Sequence, residues 1–500
     1  MKKLNVVAVD LGASNGRTIL GVFNGKTIEL NELNRFGNEY VQMSGDYYWD
    51  IVGLYSNIVK GIKAYSVKTD EVLSCIGIDT WGVDFALIDN QGRLINNARS
   101  YRDSRGKRGM DAFVEKIGIQ AAFNITGISN YEFNTLFQLY DMVLNDDASL
   151  KIANKLLLLP DYLGYVLCGE ISTEFTNATT TQMLDRKTGD WSDELANMVG
   201  VQRSLLPKIQ MAGEKKGVIL KTVIEETGLR NSPDIICIGS HDTASAFASI
   251  PSESDSCAFI SSGTWSLIGV ASKSAVVNNE IFNSGLSNEG TVTGEYNLLK
   301  NIMGMWLIQN CKKQWENEGK MLNWTKIVIL ANQAAAFRSF INIDDRLFYD
   351  GNDPINKIKH FCRVTDQPIP NTIGEIARTV YESMAMCYRE ALEQLESATD
   401  KKIDMLHIVG GGAQNKLLNQ LTANAIGKEV VAGPVEATAI GNVMMQLKAI
   451  NEIDSVNDIR KIITNSFDVE RFDPKKSAVW EEQYGLYQKI KEEYDKQVEK

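Results

Sequence analysis

One pattern occurs twice in the chain and restricts the fold more than any other: an apolar strand, a small-residue turn and a second apolar strand. It opens the sequence as Val6–Asp10, Leu11-Gly-Ala-Ser-Asn-Gly16 and Arg17–Phe23, and it returns as Ala258-Phe-Ile-Ser-Ser-Gly-Thr-Trp-Ser-Leu-Ile-Gly-Val270. β-Prone residues on either side of such a turn specify an antiparallel hairpin. Asn15-Gly16 is the pair expected at the centre of the first one, because both central residues of a tight hairpin turn adopt positive φ. A turn of this kind can present several backbone N–H groups to an anion in a concave nest. It differs from a P-loop, where a helix follows the glycines and a Lys-Ser/Thr pair closes the motif. A hairpin at the start of each half predicts two related α/β domains facing one another across a cleft, with the polar stretch Pro251-Ser-Glu-Ser-Asp-Ser256 as the hinge. Length agrees, since 500 residues exceed what one core supports.

Composition removes several functions. A net charge of -11 without a long basic run argues against binding a nucleic-acid backbone, so any phosphate ligand must be held locally by N–H groups, a metal ion or a few placed cations. Seven cysteines without a C-x-x-C read as reduced core residues in a reducing compartment, not as zinc ligands. Lys2 and Lys3 precede an apolar stretch that Asp10 interrupts too early for a signal-peptide core, and no run of about 18 uncharged apolar residues follows anywhere. The chain is therefore read as soluble and cytoplasmic.

The stretch with the most chemistry is Ile235-Ile-Cys-Ile-Gly-Ser-His-Asp-Thr-Ala-Ser-Ala-Phe247, a buried strand, a turn at Gly239 and Ser240, and a helix from Thr243. Asp242 falls at or just before the first helical turn. A carboxylate there is ordinarily stabilised by free N–H groups and the helix dipole alone, but a strand-end turn in an α/β domain is also where ligands meet the sheet. Cys75-Ile-Gly-Ile-Asp-Thr-Trp-Gly-Val-Asp-Phe85 is a strand ending at Asp79 and a Trp-Gly loop carrying Asp84. An indole beside a carboxylate suits a sugar, although Asp79, Trp81 and Asp84 fit loop packing equally well. In the second half, Leu299 to Gln309 is expected to start a helix, and Glu375 to Leu395 has the spacing of a long amphipathic one. Met405 to Leu418 reads as a strand, three glycines and a helix; adjacent glycines admit a planar base or ribose, though a lone Gly-Gly-Gly is more often a tight turn. Gly433 to Gly441 begins a small-residue helix, and Val479 to Lys500 reads as a charged amphipathic helix with a solvated face and no chemistry.

Seven segments, in this order, resemble the FGGY carbohydrate kinases: Ala8-Val-Asp-Leu-Gly-Ala-Ser14, Gly77-Ile-Asp-Thr-Trp-Gly-Val-Asp-Phe85, Ala98 with Tyr101-Arg-Asp-Ser-Arg105, Ser240-His-Asp-Thr-Ala-Ser245, Ser261-Ser-Gly-Thr-Trp-Ser266, Leu299-Lys-Asn-Ile-Met-Gly304 and Gly433-Pro-Val-Glu-Ala-Thr-Ala-Ile-Gly-Asn442. The resemblance covers nearly the whole chain. It implies the actin-like ATPase (ribonuclease H-like) fold, with an N-terminal FGGY domain over residues 1–250, a C-terminal FGGY domain over 256–448 and a helical tail over 449–500. It also implies phosphoryl transfer from ATP, with Mg²⁺, to a sugar. The motif forms are most similar to those of members that phosphorylate the C1 hydroxyl of L-rhamnulose, giving L-rhamnulose 1-phosphate and ADP in L-rhamnose catabolism. Another ketose, L-fuculose or L-xylulose, is the alternative within the family, and a non-kinase actin-like ATPase the alternative outside it.

Carried over by position, the resemblance puts Ala13, Ser14, Asn15, Gly16, Arg17 and Thr264 on the ATP phosphates, and Gln309 and Gly411 on the nucleotide. Gly82, His241, Asp242, Thr243 and Asn301 face the sugar, with Asp242 as catalytic base. Asn15 replaces the usual Ser but still supplies a backbone N–H. Phosphoryl transfer needs charge neutralisation and in-line positioning, so Asp242 has only to orient the hydroxyl and take its proton, and a carboxylate of pKa about 3.9 is ionised at neutral pH. Asp10 is the expected Mg²⁺ residue, acting through water. A dinucleotide-dependent dehydrogenase does not fit, because no G-x-G-x-x-G lies between a strand and a helix.

Overall fold

Alternate residues of the strand Leu4–Leu11 enter two different cores, which is why the segment reads as a nearly unbroken apolar run. Val7, Val9 and Leu11 pack with Trp49 and with Ile51, Leu54, Ile58 and Ile62 of the helix Ile51–Lys68. Val6 and Ala8 pack with Ile440, Val443 and Met444 of the helix Ala437–Ala449. The sheet they belong to is thus covered on both faces. A computed structural model of the chain, describing residues 3–252, 254, 256–475 and 477–498, gives that sheet the order Lys215–Val218, Asp234–Ile236, Leu73–Thr80, Leu4–Leu11, Asn15–Phe23, Ile28–Gly37. Its centre is parallel and its edges antiparallel.

The chain divides into two units, Met1–Glu253 with Ala271–Leu298 and Ala437–Phe467, and Ser254–Val270 with Leu299–Glu436 and Asp468–Lys500. Segments 271–298 and 437–467 thus join the first unit, where the sequence boundaries at 250, 256 and 448 place them elsewhere. The reason for the later crossing is side-chain chemistry in the helix Ala437–Ala449. Its Asn442 donates to Asp79 at 2.5 Å and its Gln446 to the Val7 carbonyl at 3.0 Å. Its Gly441 lies so close to the helix Asp242–Ala248 that an added Cβ would sit 1.8 Å from the Ser245 carbonyl oxygen.

The second unit repeats the design. Its sheet carries, in order, Tyr296–Ile302, Ser266–Ser272, Cys257–Ser262, Met405–Val409, Glu429–Ala432 and Glu470–Phe472. In each unit the first strand of the hairpin pairs in parallel with a strand far along the chain, Leu73–Thr80 in one and Met405–Val409 in the other. The helix Ile373–Thr399 is opened by a capping box of Thr372 and Glu375.

Three expectations change. The Asn15-Gly16 pair is not the centre of its turn: neither residue has positive φ, Asn15 and Gly16 are the first residues of the second strand, and Gly12 N–H closes the turn on the Asn15 carbonyl at 2.9 Å. Residues 299–302 are strand, and the helix begins at Trp306, because the segment forms sheet beside Ser266–Ser272 before the chain turns. The helix Ser477–Val498 is more than a solvated face: Trp480, Tyr484, Tyr487, Ile490 and Tyr494 form a buried stripe, and Tyr484 donates to Glu393 at 2.8 Å. Burial of each large side chain in such a stripe contributes roughly 1.5–3 kcal/mol. All seven cysteines are buried. Among the described residues no helix is long and apolar enough to cross a membrane. Of the expected hinge 251–256, residues 253 and 255 lie outside the described residues, as do 499 and 500 of the expected last helix.

Candidate active site

The parallel register of the first sheet lines up three carboxylates at the C-terminal ends of its strands. Asp10 and Asp79 are directly opposed on Leu4–Leu11 and Leu73–Thr80, and Thr80 bridges to His241, whose neighbour Asp242 opens the next helix. Thr80 N–H donates to the Ser240 carbonyl at 2.9 Å, which fixes that crossing. On the other side Arg17 is in register with Asp10 and donates to its carboxylate at 2.5 Å.

Burial first, and like charge after it, set the electrostatics. Burial, reinforced by the Asp10 charge and opposed by the Asn442 hydrogen bond, holds the Asp79 carboxyl well above its ordinary value. Asp242 is also raised, by burial first, with His241 opposing and Asp10 adding. The Asp242 carboxyl therefore departs from the unperturbed value expected from sequence, although its side chain keeps 32% exposure and remains reachable. Thr243 Oγ1 donates to Asp242 Oδ1 at 3.2 Å. Burial pulls the His241 imidazolium down, but Glu289, by charge and hydrogen bond, followed by Asp242 and Glu174, more than offsets it, and the net shift is upward. His241 Nδ1 is 3.1 Å from Glu289, and its Nε2 3.5 Å from Asp242.

The turn before Arg17 is tied from behind. Asn38 donates through its side chain to the Gly12 carbonyl at 2.8 Å and through its backbone N–H to the Ser14 carbonyl at 3.1 Å. Ala13 and Arg17 are half-buried, Ser14 and Asn15 exposed, and Gly16 buried. With the Gly12, Ser14 and Asn15 carbonyls engaged, such a turn can present N–H groups to an anion.

The Trp-Gly loop behaves differently from a sugar platform. Asp84 is 1% exposed, and one of its oxygens accepts the indole N–H of Trp49 at 2.6 Å, that of Trp81 at 2.9 Å and the Tyr101 N–H at 3.1 Å. Burial pushes its carboxyl up to about 6 against those bonds. Of the two readings left open by the sequence, loop packing holds for Asp84 and Trp81. Gly82 lies against Thr180, whose Oγ1 would be 2.7 Å from an added Cβ.

The second unit gathers Thr264, Gln309 and Gly411 at one end of its own sheet. The Gly263 and Thr264 carbonyls accept the N–H groups of Met305 and Trp306, both at 3.1 Å, so the helix Trp306–Asn317 starts on the hairpin turn and carries Gln309 one turn further on. Gly411 follows Val409, which pairs with Ser261, and is exposed. The neighbouring Gly412 admits no side chain, because a Cβ would fall 1.9 Å from Ser262 Oγ. Asn301, on Tyr296–Ile302, has a buried Oδ1 without a hydrogen-bond partner among the described residues. The expected residues thus separate into a first-unit group of Asp10, Ala13 to Arg17, Gly82, His241, Asp242 and Thr243, and a second-unit group of Thr264, Asn301, Gln309 and Gly411.

Two acids were not singled out by sequence. Glu174 is buried at the start of the helix Phe175–Thr180, and one of its oxygens accepts Ser240 N–H and O–H, Thr176 O–H and Asn177 N–H. Burial still pushes it up to about 7. Glu289 sits on the strand Ser287–Gly290. Neither falls in a motif, and the only signal is a charge inside an otherwise uncharged polar run.

Mg²⁺ chemistry fits Asp10 and Asp79. Asp79 Oδ1 is buried without a hydrogen-bond partner beside a second carboxylate, and hard oxygen donors are what this ion takes. No group of three or more acidic, His or Cys side chains able to chelate a metal occurs among the described residues, so further ligands would be water or phosphate.

Family models match both halves of the chain: the N-terminal domain of the FGGY family of carbohydrate kinases over residues 5–248 and its C-terminal domain over 258–450. A rhamnulokinase of Bacteroides thetaiotaomicron is 41% identical over 482 residues, covering 96% of this chain and 98% of that protein. A rhamnulokinase of Bacillus subtilis is 38% identical, covering 94% and 95%. Among solved structures, a ligand-bound xylulose kinase from Lactobacillus acidophilus superposes with a TM-score of 0.82 at 16% identity, and Plasmodium falciparum glycerol kinase with ADP with 0.77 at 17%; they cover 98% and 99% of this chain and 98% and 97% of theirs. The fold is that of these kinases, the actin-like ATPase fold.

Proposed function

Because the chain belongs to the FGGY family of carbohydrate kinases, we propose that it is a rhamnulokinase, transferring the γ-phosphoryl group of ATP to the C1 hydroxyl of L-rhamnulose. The observation that carries this reading is the similarity to rhamnulokinases at 41% and 38% identity over 96% and 94% of the chain. Need of ATP and of a free sugar places the reaction in the cytoplasm.

In the proposed reaction Asp242 accepts the proton of the C1 hydroxyl as the new O–P bond forms. The bond from the γ-phosphorus to the β,γ-bridging oxygen breaks, and ADP leaves with that electron pair. A raised pKa makes Asp242 a better proton acceptor, while 32% exposure of its side chain leaves it open to the sugar. Gly82, His241, Thr243 and Asn301 hold the sugar. The turn from Ala13 to Gly16, with Arg17 and Thr264, holds the phosphates, and Gln309 and Gly411 hold the rest of the nucleotide, Gly411 near the adenosine. Asp10 and Asp79 would hold Mg²⁺, which when bound neutralises phosphate charge.

A panel of ketoses at fixed Mg-ATP tests the assignment. L-Rhamnulose should be turned over fastest; a lone methyl group in an apolar pocket discriminates by only about 1–3 kcal/mol, so slow turnover of L-xylulose, which lacks it, is expected as well. Equal turnover of L-xylulose and L-rhamnulose overturns the assignment.

A further inference from the structure

We infer that Glu289 is a positioning residue for the transfer, holding the His241 imidazole so that its Nε2 faces Asp242 and the sugar hydroxyl. The inference rests on Asp242 being the base.

Both partners are anchored to one short helix. Thr176 of Phe175–Thr180 accepts the His241 N–H at 3.2 Å, and Thr179 accepts the Gly290 N–H, next to Glu289, at 2.9 Å. Asn288, on the other side of Glu289, donates to the Gly127 carbonyl at 2.8 Å. The backbones that carry the two side chains are therefore fixed relative to each other. Both side chains are nearly buried, with His241 and Glu289 each 8% exposed. A buried carboxylate is costly without a partner, and the His241 ring 3.1 Å away supplies one.

Geometry assigns the two ring nitrogens different tasks. Nδ1 lies 3.1 Å from Glu289, within ion-pair distance, and Nε2 faces Asp242 at 3.5 Å, longer than a good hydrogen bond. At that distance His241 sits beside Asp242 without engaging the oxygen that must take the substrate proton. The charged groups facing the ring are Glu289 from its strand, Asp242 from the following helix and Glu174 from the helix N-terminus. Those facing Asp242 are His241, Asp10, Asp79 and the phenol of Tyr101. Glu289 is the one among them within ion-pair distance of Nδ1; without it the ring is free to turn or to change tautomer.

The test is a double-mutant cycle on the full chain with Mg-ATP and the best ketose of the panel, using Glu289→Gln, His241→Gln and the two together. Glu289→Gln is expected to lower kcat at least about tenfold and to leave KM for ATP within about twofold. Added to His241→Gln, it should cost less than about twofold more, because its effect runs through the ring. Wild-type kcat in Glu289→Gln, or the full loss persisting in the His241→Gln background, overturns the inference. Should Glu289→Gln fold poorly, imidazole nitrogen NMR on the wild-type protein reads the ring directly, with only three histidines to resolve. A His241 signal with the proton on Nδ1 supports the inference, and a ring protonated on Nε2 alone overturns it. Asp242→Asn at wild-type rate removes the base and leaves the cycle readable, so the two failures are distinguishable.

Discussion

Trp49 donates its indole N–H to Asp84 at 2.6 Å, and Trp81 sends its own to the same oxygen at 2.9 Å, with the two ring centroids 4.4 Å apart. One carboxylate thus joins the residue just ahead of the helix Ile51–Lys68 to the loop after the strand Leu73–Thr80, and through that loop sets where Gly82 lies.

Asp84→Asn replaces a carboxylate by an amide whose –NH₂ cannot accept. At least one of the buried donors from Trp49, Trp81, Tyr101 and Gln138 then faces another donor. A buried group left unpaired costs about 1–3 kcal/mol, so thermal unfolding should shift down by several degrees. KM for the sugar should rise while KM for ATP stays near wild type. Unchanged melting and unchanged sugar KM would show that the Trp-Gly loop is held by something else.

Asp242→Asn should reduce kcat by at least about a hundredfold with little change in ATP affinity, the pattern of a lost base. In the wild type, burial and the Asp10 charge raise Asp242 above an ordinary carboxylate despite His241. The proposed reaction requires the ionised form, so activity should fall on acidification at a pH higher than a free aspartate would give. A pH profile of kcat measures this. An acid limb at or below the ordinary value of about 3.9 would count against a crowded, buried base.

His407 supplies a stability prediction in the second unit. Its Nε2 bonds the Gly433 carbonyl at 2.5 Å, and burial lowers its pKa to about 4. The folded value lies below the unfolded one of about 6.5, so the unfolded chain binds the proton first as pH falls. The contribution is complete above about pH 6.5 and is lost progressively as pH falls toward 4, on the order of 3 kcal/mol in all. Relative to a His407→Gln variant, the wild type should therefore lose stability between those limits. Denaturant melts of the pair at neutral and acid pH check it, and a pH-independent difference would refute it.

Much of this was legible from local pattern. Strand, turn and helix at Ile235 to Phe247 form where the sequence places them, because β-prone residues, Gly239 and a small-residue run each act over a few positions. Both hairpins are visible for the same reason. The first one's turn was misplaced because Asn-Gly is favoured only when the chain needs positive φ there, and a loop over residues 12–15, closed by Gly12 and tied by Asn38, removes that need.

By itself the sequence determined that there are two α/β units opening on matching hairpins, and that Asp242 stands at a strand-to-helix turn, since propensity, periodicity and turn chemistry are properties of neighbouring residues. Only tertiary structure decided that Asp10 and Asp79 oppose each other, that Asn442 returns 363 positions later to bond Asp79, that Asp84 serves two indoles and that Glu289 meets His241. Those pairings depend on strand register and helix packing across the chain. Their energies come from burial and mutual charge, and neither exists until distant segments are brought together.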